Sequence, residues 1–541
     1  MLNKPLEQLT SEDDIIKCLY FMYEEGYEAS KDRIRIRDRN ASFFEGNHYQ
    51  NYDAASGMWK ASRTTSRASA WRARTQTADL YNNVTSLVPI LNRAQPKIIV
   101  ESEYPSDPVD IRDIRDGQIV GNMSGINGAT AAEMMTDLLE NMSDRRSDTF
   151  LNANIILESI LGGTAFVNFR IMSGYRGTEI MPNLLMQEQF VGDPDAHRIW
   201  DFGDFLYIVI TDYVSASNIK RSYGLDEHEY GTAIESRRGI VHRIKSAFSK
   251  PKQRADAYGM TKYPVRTTYY LQDVAGDNFE NVRKIPAMKT YRTVNDQKLV
   301  LNNEPSMFWH KRFPVTAFQP MPLPFKAAGM SEVSQMIWSQ MTVNMIQNVL
   351  LDNLRLGGSE RVIAEEGAIK ANKLSTDPGS ISIAQKGALQ SGGIQILSGK
   401  GPDGNIVNFR ELSRQDMRQV AGDGGGLLAG DNPNNIKGAE HARIAVNTVL
   451  TKQQFKIANL DPAWRELAYQ EVSNTQQFVD FDNINLDKMF ADYDERIAMH
   501  EAGEVLQRLS YDISIESKEN MPHNIEDRIA VSMMMLALIH I

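Results

Sequence analysis

The clearest pattern of apolar and polar positions lies between residues 323 and 479. A proline-containing entry leads into Gly329-Met330-Ser331, and no further Gly or Pro occurs until Gly357. Within that run, apolar residues recur at steps of three and four, the spacing of one helix face. This first stripe consists of Met330, Val333, Ile337, Met341, Met345 and Val349. The pattern therefore predicts a long helix that begins near residue 330.

A second apolar stripe and a set of uncharged polar residues complete this predicted helix. The second stripe is Met336, Val343, Ile346 and Leu350, and the polar positions are Ser334, Gln335, Gln340, Asn344, Gln347 and Asn348. A helix that is apolar most of the way round, with amides elsewhere, is rarely a solvated surface helix. Two interpretations stay open: the core helix of one large domain, or a helix with neighbours on several sides.

The residues before this helix predict a mixed α/β body, because helical and strand-like patterns alternate over the first 320 residues. Helical spacing of apolar residues predicts helices at 12–45, 81–91 and 111–160, the last with a break near 121–128. Runs rich in β-branched and aromatic residues predict strands. These runs lie at 97–101, 165–171, 178–181, 205–213, 265–271, 282–285 and 298–301.

The residues after this helix are first glycine-rich and then helical again. The predicted elements are a small β-rich module at 357–406 with strands at 380–383 and 394–397, a helix at 409–421, a glycine-rich loop from 422, a long helix at 438–479 interrupted at Asp461-Pro462, and a helical segment at 480–541. The small module is therefore predicted to be an insertion between helices.

Composition narrows the class of protein. With 541 residues, the chain is too long for one compact core, and about two to four domains are expected. The formal net charge of −10 argues against a protein that wraps nucleic acid tightly, since such binding depends on neutralising phosphates; a protein past which DNA slides is still compatible. Cys18 is the only cysteine, so we expect no disulfides and folding in a reducing cytosol.

No apolar signal region is apparent at the N-terminus, and no apolar run has the length of a membrane span. The apolar segment 531–541 is too short to cross a bilayer. We therefore expect no membrane association.

No motif for catalysis or metal binding is complete. Lys400 follows a glycine, but a phosphate-binding loop needs another glycine where Ile394 stands and Ser or Thr where Gly401 stands. His500 begins a His-Glu pair, yet position 504 is Glu504 rather than the second histidine of a zinc protease. We therefore expect no catalytic residues, no metal and no cofactor.

Several short motifs follow one another in a characteristic order. They are Arg37 to Gly46 followed by Trp59, Leu161 to Phe169 followed by Phe190 to Ala196, Pro324 to Glu332 followed by Gln340 and Asn344, and Asn434 to Ala439. This ordered set resembles the portal (head-to-tail connector) proteins of tailed double-stranded DNA bacteriophages, most of all those of short-tailed phages. The resemblance spans about residues 30 to 480.

The resemblance implies an α+β, predominantly helical fold of the portal type, with a mixed α/β wing, a helical stem, a small β-rich clip and a helical crown. The implied regions are a wing at 1–325, a first stem helix at 326–357, a clip at 358–407, a second stem helix at 408–421, a tunnel loop at 422–437, a long kinked helix at 438–479 and a helical crown at 480–541.

The resemblance also implies a function and a set of partners. Such a protein forms a homo-oligomeric ring, a dodecamer in this family, at one capsid vertex, and double-stranded DNA is packaged and ejected through it without sequence readout. Implied partners are the terminase large subunit, docked on the clip, then a head–tail adaptor, with major capsid and scaffolding proteins around the ring. The protein would belong to the virion, pass through the host cytoplasm during assembly, and not be an enzyme.

Three groups of residues are candidates for this function. Arg410, Arg414 and Arg418 are spaced by four, and they either pair with carboxylates of the next subunit or face the channel and contact phosphate. The preferred candidates for passing contacts with DNA, at the end of the glycine-rich loop, are Asn434, Asn435 and Lys437. The candidates for a subunit interface are Ile337, Met341, Met345 and Val349.

Two other classes of function stay in view. One is a DNA-packaging enzyme with nuclease or ATPase activity, against which the missing carboxylate and phosphate-loop motifs argue. The other is a capsid scaffold ring of different symmetry, which subunit counting would separate from a portal.

Overall fold

The structure is a computed structural model. It describes residues 6, 9–53, 58–61, 73–93, 97–103, 108–112, 119–174, 177–199, 202–230, 262–272, 287–357, 361–364, 394–397, 404–422, 439–479, 506–507 and 509–516. Within these ranges the chain contains both helices and antiparallel sheets, as the predicted α+β class requires.

The described residues form nine α-helices. They are α1 Glu12–Phe44, α2 Asp79–Arg93, α3 Gly128–Arg146, α4 Asp148–Gly162, α5 Ala216–Tyr223, α6 Glu227–Tyr230, α7 Glu332–Gly357, α8 Gly404–Val420 and α9 Ala439–Phe478. The predicted helices at 12–45, 81–91, 409–421 and 438–479 are confirmed to within five residues at each end.

The strands form six antiparallel sheets. They are β1 Gln50–Asp53, β2 Met58–Ala61, β3 Lys97–Ser102, β4 Pro108–Arg112, β5 Ile119–Asn127, β6 Ala165–Gly174, β7 Gly177–Leu185, β8 Phe190–Gly192, β9 Tyr207–Ser215, β10 Lys262–Gln272, β11 Ala287–Val294, β12 Lys298–Pro305, β13 Thr316–Phe318, β14 Arg361–Ala364, β15 Ile394–Leu397 and β16 Tyr511–Glu516. The largest sheet has the order β12-β11-β10-β9-β8, a second has the order β13-β6-β7, and four are two-stranded: β1-β2, β3-β16, β4-β5 and β14-β15.

The three largest of six hydrophobic clusters among the described residues join these elements. One core lies between α3, the β6–β7 hairpin, α9 and β16. A second is purely helical and contains residues of α1, α2, α4, α7, α8 and α9. A third fills the space between the two larger sheets. The helix pair α7–α8 is therefore packed directly against the α/β body through the second core.

The helix predicted from residue 111, with a break near 121–128, was wrong in its first part, because the described residues 108–112 and 119–127 are the paired strands β4 and β5. β4 pairs with β5, with Ile111 opposite Gly121, and helix α3 begins only at Gly128. The helical spacing of Met134, Leu138 and neighbouring residues is real, but it belongs to α3 alone. The glycines of β5 disfavour a helix, and its β-branched residues favour a strand.

The C-terminal region also differs from the prediction of an all-helical segment at 480–541. Its residues 511–516 form β16, which pairs with β3 so that Ile513 lies opposite Val100. Apolar residues alternate with polar ones in Tyr511-Asp512-Ile513-Ser514-Ile515-Glu516, which is the period of a half-buried strand. The pairing partner lies some four hundred residues away in sequence, so no local pattern could identify it.

Helix α9 continues through Asp461 and Pro462, where an interruption was predicted. A proline inside a helix removes one backbone hydrogen bond and crowds the preceding turn. Tertiary contacts compensate on both sides of it: Asn459 Nδ2 donates to the Pro320 carbonyl over 2.9 Å, and the Trp464 ring meets Phe318 edge-on at 4.6 Å. Packing against the sheet therefore outweighs the local preference.

A charge cluster ties the α3–α4 corner to α9. Arg146 bonds to Asp148 at 2.7 Å and to Glu471 at 2.5 Å, and its Nη1 also donates to the Ile180 carbonyl at 2.8 Å. Burial raises the pKa of Glu471, while the charge of Arg146 acts in the opposite direction. Because the three side chains are largely buried, removal of the arginine would leave two carboxylates without compensation.

Two glycines bring the α/β body and the entry to α7 into backbone contact. Gly163 ends α4 with φ of 81°, and a Cβ atom there would lie 2.2 Å from the Gly329 carbonyl oxygen. In the reverse direction, a Cβ atom on Gly329 would lie 2.3 Å from the Gly163 oxygen. No side chain fits at either position.

Substitution of Gly163 by alanine tests this contact. We expect Gly163→Ala to lower the free energy of unfolding by about 3 kcal/mol or more, since it adds the left-handed backbone cost of 1–2 kcal/mol to overpacking. Gly224→Ala is the matched control, because Gly224 has φ of 70° and no atom within 4 Å of the added Cβ. Urea denaturation of both variants gives the comparison, and equal losses would contradict a role for the close approach.

His310 is a buried base in the segment that leads from β12 to β13. Its ring stacks on Phe308 at 5.2 Å, and its Nδ1 accepts a hydrogen bond from the Arg312 backbone N–H at 3.1 Å. Burial, and then the charge of Arg312, lower the pKa of His310 from 6.5 to about 4. The neutral form therefore carries its proton on Nε2.

Stability should depend on pH through this histidine. The unfolded chain binds the proton near pH 6.5 and the folded chain only near pH 4, so stability is lost as pH falls between these values, by roughly 3 kcal/mol in total. His310→Phe should flatten the pH dependence of the unfolding free energy over this range. The exposed His197 provides the control variant, His197→Phe; an unchanged slope in the His310 variant would refute the assignment.

Candidate functional site

Helix α7 presents three distinct stripes along its length. One stripe is buried in the helical core and contains Val333, Met336, Ile337, Val343, Ile346 and Leu350. A second stripe consists of Gln340, Asn344, Asn348 and Asp352, each four residues after the last. The third stripe is apolar and exposed, and it contains Trp338, Met341, Met345 and Val349. The first stripe packs in the core, the second binds another segment of the chain, and the third is exposed. Together the three stripes define the candidate site.

The polar stripe holds an extended segment of the same chain, residues 73–80. The stripe's side-chain oxygens accept hydrogen bonds from backbone N–H groups of that segment. The pairs are Ala73 with Asp352 at 2.7 Å, Thr75 with Asn348 at 2.7 Å, Thr77 with Asn344 at 3.1 Å and Leu80 with Gln340 at 2.8 Å. We call this set of contacts the amide ladder. It gives the extended segment the acceptors that a neighbouring strand would otherwise supply.

The ladder depends on a match between two backbone repeats. Four residues of an α-helix rise about 6.0 Å, and two residues of an extended chain rise about 6.6–6.8 Å. Acceptors spaced by four on the helix can therefore meet donors spaced by two on the segment, as they do at Ala73, Thr75 and Thr77. At the fourth rung, Leu80, the segment has already turned into α2.

Asn344 lies at the centre of the ladder and is almost fully buried. Its Oδ1 also accepts hydrogen bonds from the Thr77 hydroxyl and from Gln340 Nε2, while its Nδ2 donates to Nδ1 of His48 at 2.8 Å. The other ring nitrogen of His48, Nε2, donates to the Phe43 carbonyl at 3.0 Å. Burial lowers the pKa of His48, which favours the neutral ring that this pattern requires.

These amides were noticed in the sequence, but their partners could not be identified there. The sequence left open whether these amides lie in a core or against several neighbours, and the structure satisfies Gln340, Asn344 and Asn348 within one chain. The regular spacing of four in Gln340-Asn344-Asn348-Asp352 was the available signal. Nothing in the sequence paired it with residues 73–80, which are some 270 positions away.

The start of α7 is fixed by a buried polar junction with α1 and α4. Asn40 Nδ2 donates to the Leu161 carbonyl at 2.7 Å and lies 2.8 Å from the hydroxyl of Ser331 and 2.9 Å from that of Ser334. The Ser331 hydroxyl in turn donates to the Ile160 carbonyl at 2.8 Å. Three helices thus share one set of hydrogen bonds where α7 begins.

A buried ion pair connects the first turn of α7 with α9. Lys456 Nζ lies 2.7 Å from Glu332 Oε1, and both side chains are at least nine-tenths buried. Burial raises the pKa of Glu332, and Lys456 acts in the opposite direction. The carboxylate also lies at a helix N-terminus, where the macrodipole favours a negative charge.

Helix α8 packs antiparallel to α7, and it places the candidate arginines. Arg410 Nη1 donates to Gln347 Oε1 of α7 at 2.8 Å, and Arg414 Nε lies 3.2 Å from Asp79 Oδ1 at the start of α2. Arg418, in the last turn, also has an interaction within the chain. The structure therefore brings Arg410 and Arg414 onto neighbouring elements of their own chain.

The remaining candidates divide into three cases. Ile337 is only 6% exposed and packs in the chain's own helical core, so it does not belong to a free face. Met341, Met345 and Val349 lie on the exposed stripe of α7 together with Trp338, which the sequence analysis did not select. The loop candidates Asn434, Asn435 and Lys437 lie outside the described residues.

No cluster of His, Cys, Asp or Glu suited to a metal ion occurs among the described residues. In the same part of the chain, no helix combines the length and apolar character needed to cross a bilayer.

Comparison with known families identifies the fold. The family model for the phage P22-like portal protein matches residues 118–484, which include all of α7, α8 and α9. This chain belongs to the P22-like portal protein family. It is thus a portal protein, the head-to-tail connector of a phage-like particle, and its place is the portal vertex of a virion. Portal proteins have a structural role.

Solved structures and curated proteins add little to this assignment. The chain is similar to a chain titled "Neck of empty GTA particle computed with C6 symmetry", with 9% identity, a TM-score of 0.32 and 92% of each chain covered. It is also similar to a chain titled "Neck of native GTA particle computed with C12 symmetry", with 10% identity, a TM-score of 0.30 and coverage of 87% of this chain and 98% of that chain. No curated protein matches. The family assignment rests on the family model alone.

The amide ladder can be tested at its centre. Asn344→Leu keeps the volume of the side chain but removes the acceptor for Thr77 and the donor for His48, so we expect a loss of about 2–4 kcal/mol in unfolding free energy. Hydrogen exchange of the amides of Ala73, Thr75 and Thr77 should become faster. Met345→Leu, one residue further on the exposed stripe, is the control; unchanged exchange in the Asn344 variant would show that the ladder does not hold the segment.

Proposed function

We propose that this portal protein assembles into a closed homo-oligomeric ring, a dodecamer, whose central channel passes double-stranded DNA during packaging and ejection. The proposal rests first on the exposed apolar stripe of α7. Trp338 is 78% exposed and Met345 63% exposed in the single chain. With 3.6 residues per turn, the four residues of the stripe lie within an arc of about 80°.

An apolar stripe of this kind favours burial against another protein surface. Exposed apolar residues that stand singly are common, but a contiguous row on one helix marks an interaction site. The row contains no charged side chain, and the polar stripe of α7 is already engaged in the amide ladder. The described part of the chain leaves this row exposed, so we infer that a neighbouring molecule covers it.

Helix α8 offers a second exposed apolar surface that could meet the stripe of the next subunit. Phe409, Leu412 and Val420 are exposed on it, with Phe409 and Leu412 more than half exposed. In a ring with rotational symmetry, each subunit uses two different surfaces, one for each neighbour. The α7 stripe and this α8 surface satisfy that requirement as a heterologous pair.

The proposal keeps the regional assignments, with one adjustment. Residues 1–325 would form the wing, 326–357 and 408–421 the two stem helices, 358–407 the clip, 422–437 the tunnel loop and 438–479 the long helix. In support, α7 and α8 pair antiparallel, and the strands β14 and β15 pair with each other between them. Residues 480–541 would form the crown, except that β16 at 511–516 pairs with β3, so we propose that this strand is part of the wing.

Contacts with DNA and with other proteins follow from the same arrangement. Asn434, Asn435 and Lys437 would touch the phosphate backbone only, since sequence readout would impede translocation. The clip would receive the terminase large subunit during packaging and a head–tail adaptor afterwards, with major capsid and scaffolding proteins around the ring. The protein would catalyse no reaction itself, and it would pass through the host cytoplasm before it enters the virion.

Ring formation is the direct test. Negative-stain images of the purified protein should show rings with a central channel, and native mass spectrometry should give the subunit number. Met345→Asp places a charge on the apolar stripe, and the cost of burying it should raise the protein concentration needed for assembly at least tenfold.

The exposed Met172 on strand β6 supplies a control, Met172→Asp, which should assemble normally. A wild-type protein that stays monomeric in every condition would overturn the ring proposal. Rings that tolerate Met345→Asp would show that the α7 stripe is not the interface.

A further inference from the structure

A solvent-exposed aromatic residue occupies a strained turn just before α7. The Lys326 N–H bonds to the Leu323 carbonyl at 3.3 Å, which closes a four-residue turn with Pro324 and Phe325 in its middle. Phe325 has φ of 61° and is 86% exposed, the most exposed of the large apolar residues among those described. A left-handed backbone favours glycine or asparagine at this position, and a phenylalanine there gains no packing in its own chain.

The neighbouring residue, Lys326, adds a positive charge to the same turn. It is exposed and has no ion pair among the described residues. Phe325 and Lys326 therefore project an aromatic ring and a cation from one point of the surface. We call this pair the turn knob.

A hollow of complementary character lies elsewhere on the same chain. It has a volume of about 500 Å³ and is lined by Phe21, Glu24, Glu25, Glu28, Pro194 and Asp195. Phe21 is itself more than half exposed, and together with Pro194 it supplies an apolar floor. Four carboxylates surround that floor. Its volume lies in the range of pockets that bind a side chain or a small ligand.

The negative charge of this hollow is only partly compensated within the chain. Glu28 pairs with Lys31, but Glu25 and Asp195 have no cationic partner in the described part of the chain. The negative charge of the hollow also acts on the neighbouring Tyr207. Burial raises the pKa of the Tyr207 hydroxyl, and the charges of Asp193, Glu25 and Asp195 raise this pKa further. A cation brought into the hollow from outside would relieve this repulsion.

We propose that the turn knob of one subunit inserts into the acidic hollow of the adjacent subunit, with Phe325 against Phe21 and Pro194 and Lys326 among the carboxylates. This contact rests on the ring assembly proposed above and adds a second, charge-specific contact to it. It would set the register between wings, while the α7 stripe supplies apolar area. Its two halves differ, as a heterologous ring interface requires.

The knob does not fill the hollow of its own chain. None of its residues lines the hollow, and Phe325 remains almost fully exposed. The loop that carries the knob is anchored at Ser331, which bonds to Asn40 of α1. Asn40 lies fifteen residues beyond Glu25 on the same helix, about 22 Å along its axis. A second copy of the chain is thus the natural occupant.

Photo-crosslinking tests the contact directly in the assembled ring. A photoreactive p-benzoylphenylalanine is placed at position 325, and rings are assembled from equal amounts of ¹⁵N-labelled and unlabelled protein. Crosslinked peptides should join position 325 to residues 21–28 or 194–195 and should contain both isotopes in one crosslink. Crosslinks to any other segment would overturn the proposal. So would a result in which no crosslink joins a labelled peptide to an unlabelled one, because the contact would then lie within one subunit.

Charge exchange gives an independent test. Lys326→Glu should raise the protein concentration at half-assembly about fivefold, the upper range for an exposed ion pair, and Glu25→Lys should do the same. The double variant should return to within about twofold of the wild type, because the pair is restored with reversed polarity. Light scattering, recorded as a function of protein concentration, gives the concentration at half-assembly for the two single variants and the double variant.

A matched charge change elsewhere provides the control. Lys311→Glu changes the charge of another exposed lysine, and it should not be rescued by Glu25→Lys. If wild-type rings form and the double variant shows no recovery, the knob contact is refuted while the ring stands. If the wild type forms no ring at all, the ring proposal itself has failed.

Discussion

The hydrogen bonds between α7 and residues 73–80 are the constraint on which the rest of the helical region depends. Side-chain oxygens on one side of α7 accept hydrogen bonds from the backbone N–H groups of this segment. The extended segment can therefore lie against a helix without losing its backbone hydrogen bonds. They also bring α2 to α7, because Leu80 is both a rung of the amide ladder and part of the first turn of α2. With its core stripe and its polar stripe occupied, α7 has one face left, and that face is apolar.

The junction at the start of α7 determines how this helix pair is held by the sheets. Gly163 and Gly329 let two backbones touch, and Asn40 links Ser331 to the end of α4 at the same place. Thr164 accepts a hydrogen bond from the Gly329 N–H at 3.0 Å, so the sheet begins at the same contact. At the start of α7 the backbone has little conformational freedom, because the small residues pack closely and each buried polar group has a defined hydrogen-bond partner. The orientation of α7 on the α/β body is therefore fixed at its first turn.

Several ion pairs of this protein join one secondary-structure element to another. Lys456 with Glu332 and Arg146 with Glu471 are largely buried pairs that each attach α9 to a different part of the chain. Arg414 similarly attaches α8 to α2. A protein of net negative charge in which Arg146, Arg410 and Arg414 contact their own chain would suit the proposed DNA conduit, since release of DNA requires weak phosphate contacts.

The sequence by itself determined the elements whose signal is local. Helical spacing identified α1, α2, α7, α8 and α9, runs of β-branched and aromatic residues identified β6 and β7, and the order of short motifs identified the family. It did not determine partners that are distant along the chain. Only the tertiary structure paired β16 with β3, joined the amides of α7 to residues 73–80 and kept α9 helical through Pro462. It also shows that Ile337, a candidate for the interface, is buried in the chain's own helical core. The physical reason is the same in each case: periodicity shows which face of an element is apolar or polar, whereas the surface that covers that face is chosen by packing across hundreds of residues.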